Sequence, residues 1–181
     1  MKEPIIIGIS TSGINLINLC VESKIEAKYL VLEQRSDKWI NKVNALRGYV
    51  NPDSNGEFDI SAFEDLVAKW FDSIFGCNAK IGTVIIVNCI GGEYGTTAGR
   101  GFFNQLQNLD IDVHWVFSQP YPSSENDRIK IANQFTEDIL SLPNVFVHNY
   151  DIGNYSSLPE AEVYKIVNNY MITDVQKIIS C

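Results

Sequence analysis

The chain has 181 residues, 45% hydrophobic and 20% charged, enough for one domain with a substantial core. Its net charge of −8 and pI of about 4.7 argue against nucleic acid or an anionic membrane surface as partner, since both are bound through a basic face. The four cysteines (Cys20, Cys77, Cys89, Cys181) form no C-x-x-C pair and only two histidines accompany them, so neither a metal site nor a disulfide framework is expected.

No apolar run approaches the ~18 residues of a membrane span. The stretch after Met1-Lys2-Glu3-Pro4 is too short for a signal peptide. The expected location is cytoplasmic, with the thiols reduced. Ile5–Ile9 reads as a strand buried on both faces, followed by a turn, Ser10-Thr11-Ser12-Gly13, and a helix from Ile14 to Glu22. Tyr29–Leu32 is the next strand, so residues 1–33 form a βαβ unit, which by handedness builds a parallel sheet. A dinucleotide fingerprint would need G-x-G-x-x-G here, and Gly8-Ile9-Ser10-Thr11-Ser12-Gly13 lacks the middle glycine. Asp37–Leu46 is expected to be a short helix and Gly48–Glu57 a loop rich in turn formers. Ile60–Phe75 is an amphipathic helix with Phe63, Leu66, Val67 and Trp70 on its apolar stripe.

The stretch from Thr83 to Phe103 carries the strongest functional signal. A strand around Val84–Val87 meets a glycine-rich turn, Gly91-Gly92-Glu93-Tyr94-Gly95, then Thr96, Thr97, Ala98 and Gly99. A helix bearing Phe102, Phe103 and Leu106 is expected to follow, through Leu109. Strand, glycine turn and helix N-terminus form the geometry in which backbone N–H groups and the helix dipole converge on an anion, most often a phosphate. The plainer reading is a tight strand-to-helix turn. Ser10, Thr11 and Ser12 are likewise either phosphate contacts or turn residues and an N-cap. Val113–Phe117 is a further strand, Glu125–Leu140 a helix with Ser124 as N-cap, and Asn144–Asn149 the last strand. A long helix starts at Pro159 and runs to Ile179. The alternation predicts a doubly wound α/β domain, a mostly parallel Rossmann-like sheet with helices on both faces and ligands at the carboxyl ends of its strands.

Taken together, these loops resemble the nucleotide-binding domain of the FtsZ/tubulin superfamily. Gly91–Thr97, GGEYGTT, is similar to the signature G-G-G-T-G-[ST]-G, and Ile5–Asn18 is similar to the family's first strand, glycine-rich loop and helix, with Asn15 and Asn18 where FtsZ has asparagines. GYVNP (48–52), containing Asn51, resembles the A-N-P loop near the terminal phosphate. Pro120-Tyr121 followed by Glu125 resembles the K-P-F…E-G segment whose acid faces the ribose. Asn149 stands where the family contacts guanine. Tyr164 and Asn168 match the aromatic that stacks on guanine and the residue that reads its edge, one turn apart on one helix face. The resemblance implies GTP or GDP as ligand, with Mg²⁺ as a further candidate. The phosphates would rest on Ser10–Gly13 and on Gly91, Gly92, Gly95, Thr96 and Thr97, and the ribose and base against Asn15, Glu125, Asn149, Tyr164 and Asn168. Asn51 would lie at the terminal phosphate. The partners it implies are the nucleotide and either this chain itself or a full-length homologue.

Two departures qualify this. In the family the long helix is followed by a loop whose acidic residues complete hydrolysis in the next subunit, then by a second domain; the sequence ends at Cys181. A single domain with slow or no hydrolysis, and with no catalytic residue of its own, is therefore expected. Glu93 and Tyr94 replace a Gly-Thr pair, and a carboxylate ~4 Å from a phosphate is repelled by about 4 kcal/mol at an effective dielectric of 20. Either Glu93 points away, or it holds Mg²⁺ against the phosphates, or the triphosphate site is lost. In the last case the chain is a pseudo-GTPase serving as an interaction module. Arg100 is read as a solvated helix arginine or a charge clamp.

Overall fold

The computed structural model describes residues 3–33, 45–75, 81–107, 111–124, 126–155 and 157–180. Six parallel strands lie in the order β3-β2-β1-β4-β5-β6. They are β1 (Glu3–Ile9), β2 (Lys28–Leu32), β3 (Leu46–Gly48), β4 (Ile81–Cys89), β5 (Val113–Ser118) and β6 (Val145–Tyr150). The helices are α1 (Ser10–Glu22), α2 (Ile60–Phe75), α3 (Glu93–Arg100), α4 (Phe103–Gln107), α5 (Asn126–Leu140) and α6 (Glu160–Ser180), with a 3-10 turn at Ile152–Tyr155.

The central strands are apolar at most positions because both faces are covered. Alternation divides them: Ile5, Ile7, Val84, Ile86, Trp115 and Phe117 face α2, α3, α4 and α5. Ile6, Ile85, Val87 and Val116 face α1 and α6. The largest wholly buried side chains include Trp115, Phe63, Phe102, Phe117 and Phe135. Each fully buried aliphatic or aromatic side chain contributes roughly 1.5–3 kcal/mol, so the helices on each face add to the stability of the sheet. Among the described residues no helix is long and apolar enough to cross a membrane.

Three expectations change. The first helix begins at Ser10, a full turn before Ile14, with the extended Ile9 as its N-cap. The glycine run is helical from Glu93, and that helix breaks at Gly101 and Phe102 before α4 restarts. Leu46, placed in a short helix, instead opens β3, paired to Leu30 of β2; residues 37–44 of that helix lie outside the described residues.

On the edge strand, His148 meets His114 of β5, with Nε2 and Nδ1 3.0 Å apart. His114 also stacks on Phe146 at 5.0 Å between ring centres. One proton is all that pair of nitrogens shares, and burial, with His148 second, holds His114 below the ordinary histidine value of 6.5. The unfolded chain therefore binds a proton that the folded chain excludes. Stability is present above that value and falls as the pH drops below it. We expect the urea midpoint to decline from about pH 7 to about pH 5, and His114→Gln to flatten that decline. An unchanged slope in the variant would remove His114 as its source.

Candidate functional site

The strand order reverses between β1 and β4: the chain leaves β1 toward β2 on one side and leaves β4 toward β5 on the other. The helices that follow, α1 and α3, pack on opposite faces of the sheet. Their N-termini separate at its carboxyl edge, and a crevice opens there, as it does in open α/β sheets generally. The cleft measures about 650 Å³.

Its first wall is the start of α1. Ser10 follows β1 without a loop and has φ +65°. A non-glycine residue in that region costs on the order of 1–3 kcal/mol. The hydroxyls of Ser10 and Ser12 lie 3.0 Å apart, and the Ser12 Oγ accepts the N–H of Cys89 at 2.9 Å. Ser12 thus fastens the first turn of α1 to the end of β4. Thr11 and Asn15, one turn apart and both exposed, line the same wall. Gly13 does not. It is pressed into the sheet, where a Cβ would stand 2.6 Å from the Gly8 carbonyl carbon and 2.7 Å from the Val87 oxygen.

The second wall is the first turn of α3. Gly91 turns the chain with φ +91°, and its N–H donates to the Thr96 hydroxyl at 3.3 Å. Gly92 is the N-cap, and the Thr96 N–H closes the first helical bond onto its carbonyl at 3.0 Å. The N–H groups of Glu93, Tyr94 and Gly95 precede that bond and have no carbonyl one turn back to receive them. All three residues line the cleft, beside Gly92. Glu93 is exposed at the rim, an acid in a first helical turn, where the dipole favours it. Tyr94 is buried edge-on against Phe58 and Phe63, at 5.0 and 5.4 Å, and its hydroxyl donates to the Glu33 carbonyl. Burial and then the Glu33 charge keep that phenol protonated well above its ordinary range. Gly91, Thr96 and Thr97 do not line the cleft; the first two close the turn through their hydrogen bond.

The floor is Asn88, Cys89 and Ser118, at the ends of β4 and β5. Asn88 is wholly buried; its Oδ1 accepts the Trp115 indole N–H at 3.1 Å, while its Nδ2 has no partner among the described residues. A buried donor left unpaired costs roughly 1–3 kcal/mol. Burial raises the Cys89 thiol, which keeps it neutral. The far side is α6, whose Tyr164 and Asn168 both line the cleft. Burial first, and Cys89 next, push the Tyr164 phenol up to about 12. Arg128 of α5 completes the lining and is its one cation among the described residues.

Other anticipated residues stand elsewhere. Alternation along β6 places Asn149 with Val145 and Val147, which pack on the face covered by α5, whereas Tyr164 and Asn168 belong to α6 on the opposite face. Asn51 is exposed in the loop after β3 and does not line the cleft. Glu125 lies outside the described residues. Arg100 is paired with Asp138 at 2.9 Å, so it is neither a clamp at the cleft nor freely solvated. Sequence reasoning passed over Asn88, Ser118 and Arg128. Asn88 had a visible signal, a lone amide in the apolar run VIIVNC at the carboxyl end of a buried strand.

No protein-family model and no curated protein matches the sequence. Solved structures do resemble the fold. FtsZ from M. jannaschii, solved as an empty dimer, superposes with a TM-score of 0.75 at 14% identity, covering 99% of this chain and 55% of that one. CetZ2 from Haloferax volcanii, a GTPγS-bound protofilament, gives 0.75 at 13% identity, covering 97% and 57%. TubZ from Bacillus thuringiensis serovar israelensis, a GTPγS-form protofilament, gives 0.69 at 14% identity, covering 98% and 55%. The fold is therefore FtsZ/tubulin-like, and the chain spans a little over half the length of these proteins.

Gly13 separates a packing role from a ligand role. Gly13→Ala forces a methyl into backbone on two strands, and overpacking of that kind costs about 1–3 kcal/mol. We expect a loss of that size in urea unfolding, with α1 displaced. Wild-type stability in the variant would show that α1 can move off the sheet.

Proposed function

We propose that this FtsZ/tubulin-like chain binds a guanine nucleotide in the cleft between α1, α3 and α6. One observation carries it. At the strand-order reversal, the uncapped amides of Glu93, Tyr94 and Gly95 and the Arg128 guanidinium share one cleft with Tyr164 and Asn168. The first group suits phosphates. The second suits a purine, since a ring can stack on it while an amide one turn away pairs with its edge. The GTPγS named for CetZ2 and TubZ supports the same ligand class. The protofilaments in which those two were solved support self-association as a further property of this chain. Of the Ser10 and Ser12 hydroxyls one donates to the other, which leaves one O–H for a phosphate oxygen, because the Cys89 N–H takes only an acceptor site on Ser12.

Among the described residues no group of three or more acidic, histidine or cysteine side chains is assembled to hold a metal. Magnesium would therefore ride on the phosphates, with Glu93, the one carboxylate lining the cleft, as its protein contact. An interaction module without nucleotide is the second reading. Glu93 at the rim favours it, since a carboxylate beside the start of α3 opposes a phosphate there.

Calorimetric titration with GDP, GTP and ATP, with and without Mg²⁺, decides between them. Guanine-selective binding is expected, and no binding of any nucleotide at high micromolar concentration would leave the interaction module. Tyr164→Leu keeps the apolar packing but removes the stack, and should weaken GDP binding by ~1–3 kcal/mol. An equal affinity in that variant would exclude stacking. Glu93→Gln should tighten GDP binding in magnesium-free buffer and reduce the gain on adding Mg²⁺; if neither changes, Glu93 does not face the phosphates.

A further inference from the structure

Asn88 is the one polar side chain between Val84 and Cys89, and its amide is only half used. The Oδ1 accepts from Trp115 Nε1 at 3.1 Å. That bond fixes the orientation of the amide, because an indole can only donate. The Nδ2 is therefore turned away from Trp115, with two N–H donors and no partner among the described residues, in a residue 0% exposed on the floor of the cleft. Trp115 accounts for the Oδ1, since a hydrophobic side chain here would orphan its indole N–H, but nothing among the described residues accounts for the Nδ2, and a buried donor ordinarily has an acceptor.

The surroundings say what kind. Asn88 adjoins Cys89, whose own N–H is taken by Ser12. Along β4 it continues the face of Val84 and Ile86, on which α3 packs, whereas Tyr164 and Asn168 come from α6 on the other face. Its free donor thus lies on the side of the sheet where α3 packs, and the start of that helix lines the same cleft. Donors from independent elements meeting at one place describe a site for an oxyanion.

We infer that Asn88 Nδ2 donates to a phosphate oxygen of the bound ligand, making β4 itself part of the phosphate site through a neutral side chain. This rests on the nucleotide reading of the cleft and adds a recognition residue to it.

The test titrates wild type and Asn88→Asp with GDP, guanosine and pyrophosphate. The aspartate keeps the bond to Trp115 and replaces the donor by an acceptor. GDP and pyrophosphate should bind at least about tenfold more weakly, roughly 1.4 kcal/mol, with guanosine unchanged. Should the aspartate unfold the protein, Asn88→Leu is compared with wild-type Asn88 in a Trp115→Phe background, where no indole N–H is orphaned, and the same loss is expected. Equal GDP affinity with and without the amide would overturn the inference and leave a buried water as the partner of Nδ2, with the nucleotide reading intact. If wild type binds pyrophosphate through Asn88 but not GDP, the anion contact stands and the nucleotide reading falls. If wild type binds neither, both fall.

Discussion

The position of α1 depends on two glycines with nothing between them. A Cβ on Gly8 would stand 2.6 Å from the Ile17 side chain and 2.7 Å from the Gly13 oxygen, and one on Gly13 would strike the Gly8 backbone. Helix and sheet therefore meet backbone to backbone, closer than side chains allow. At that distance no loop fits between β1 and α1. The chain enters the helix directly from Ile9, Ser10 takes the left-handed conformation, and the first turn stands over the end of β4, where Ser12 reaches the Cys89 amide. The strain at Ser10 is a consequence of the glycine contact. The cleft owes its first wall to the same contact.

The second wall is held differently, by side chains. Tyr94 is seated between Phe58 and Phe63, with its hydroxyl on Glu33 at the end of β2. Lower down, Gly99 lets Phe135 of α5 press against α3, with a hypothetical Cβ only 2.5 Å from its ring. The Arg100–Asp138 pair adds a partly exposed ion pair, and such pairs are worth at most about 1 kcal/mol. Glu93 and Tyr94 thus each have a structural role at this turn: the tyrosine is a core anchor for α3 and the glutamate an exposed first-turn acid. Tyr94 does not obstruct the cleft, because its ring is directed into the protein.

Much of this was legible in the chain. The central strands and α2 announce themselves through apolar runs and a helical stripe, signals set by burial on two faces or one. Tyr164 and Asn168 were legible as a pair because helical spacing fixes their common face. The misplaced features share a cause, which is that tertiary contact overrode local propensity. Ser10–Gly13 and Glu93–Gly99 have the composition of loops, yet both are helical because glycines there serve close packing as well as turning. Asn149 sits at the end of β6 as expected, and the period of a strand places it with Val145 and Val147, which motif spacing alone does not say. β3 spans only Leu46–Gly48, too short to show alternation. Arg128 is one arginine among surface charges until the fold brings the start of α5 beside the Gly91 turn.

The acidity of the chain and the anion proposed for it are reconciled by range. A charge of −8 acts through solvent and is screened beyond about 10 Å at 0.1 M salt. Within the cleft the donors are dipoles: three amides at a helix start, worth up to about half a positive charge, the hydroxyls of the α1 turn and the Asn88 amide. Dipoles add almost nothing to the field at a distance but dominate at hydrogen-bond range, where water is excluded. Among the described residues Arg128 supplies the one full positive charge, and Glu93 at the rim opposes it. A site made this way gains little from long-range attraction. Its affinity depends on how many donors find acceptors at once, and that favours a ligand with several oxygens held in one geometry over a simple anion.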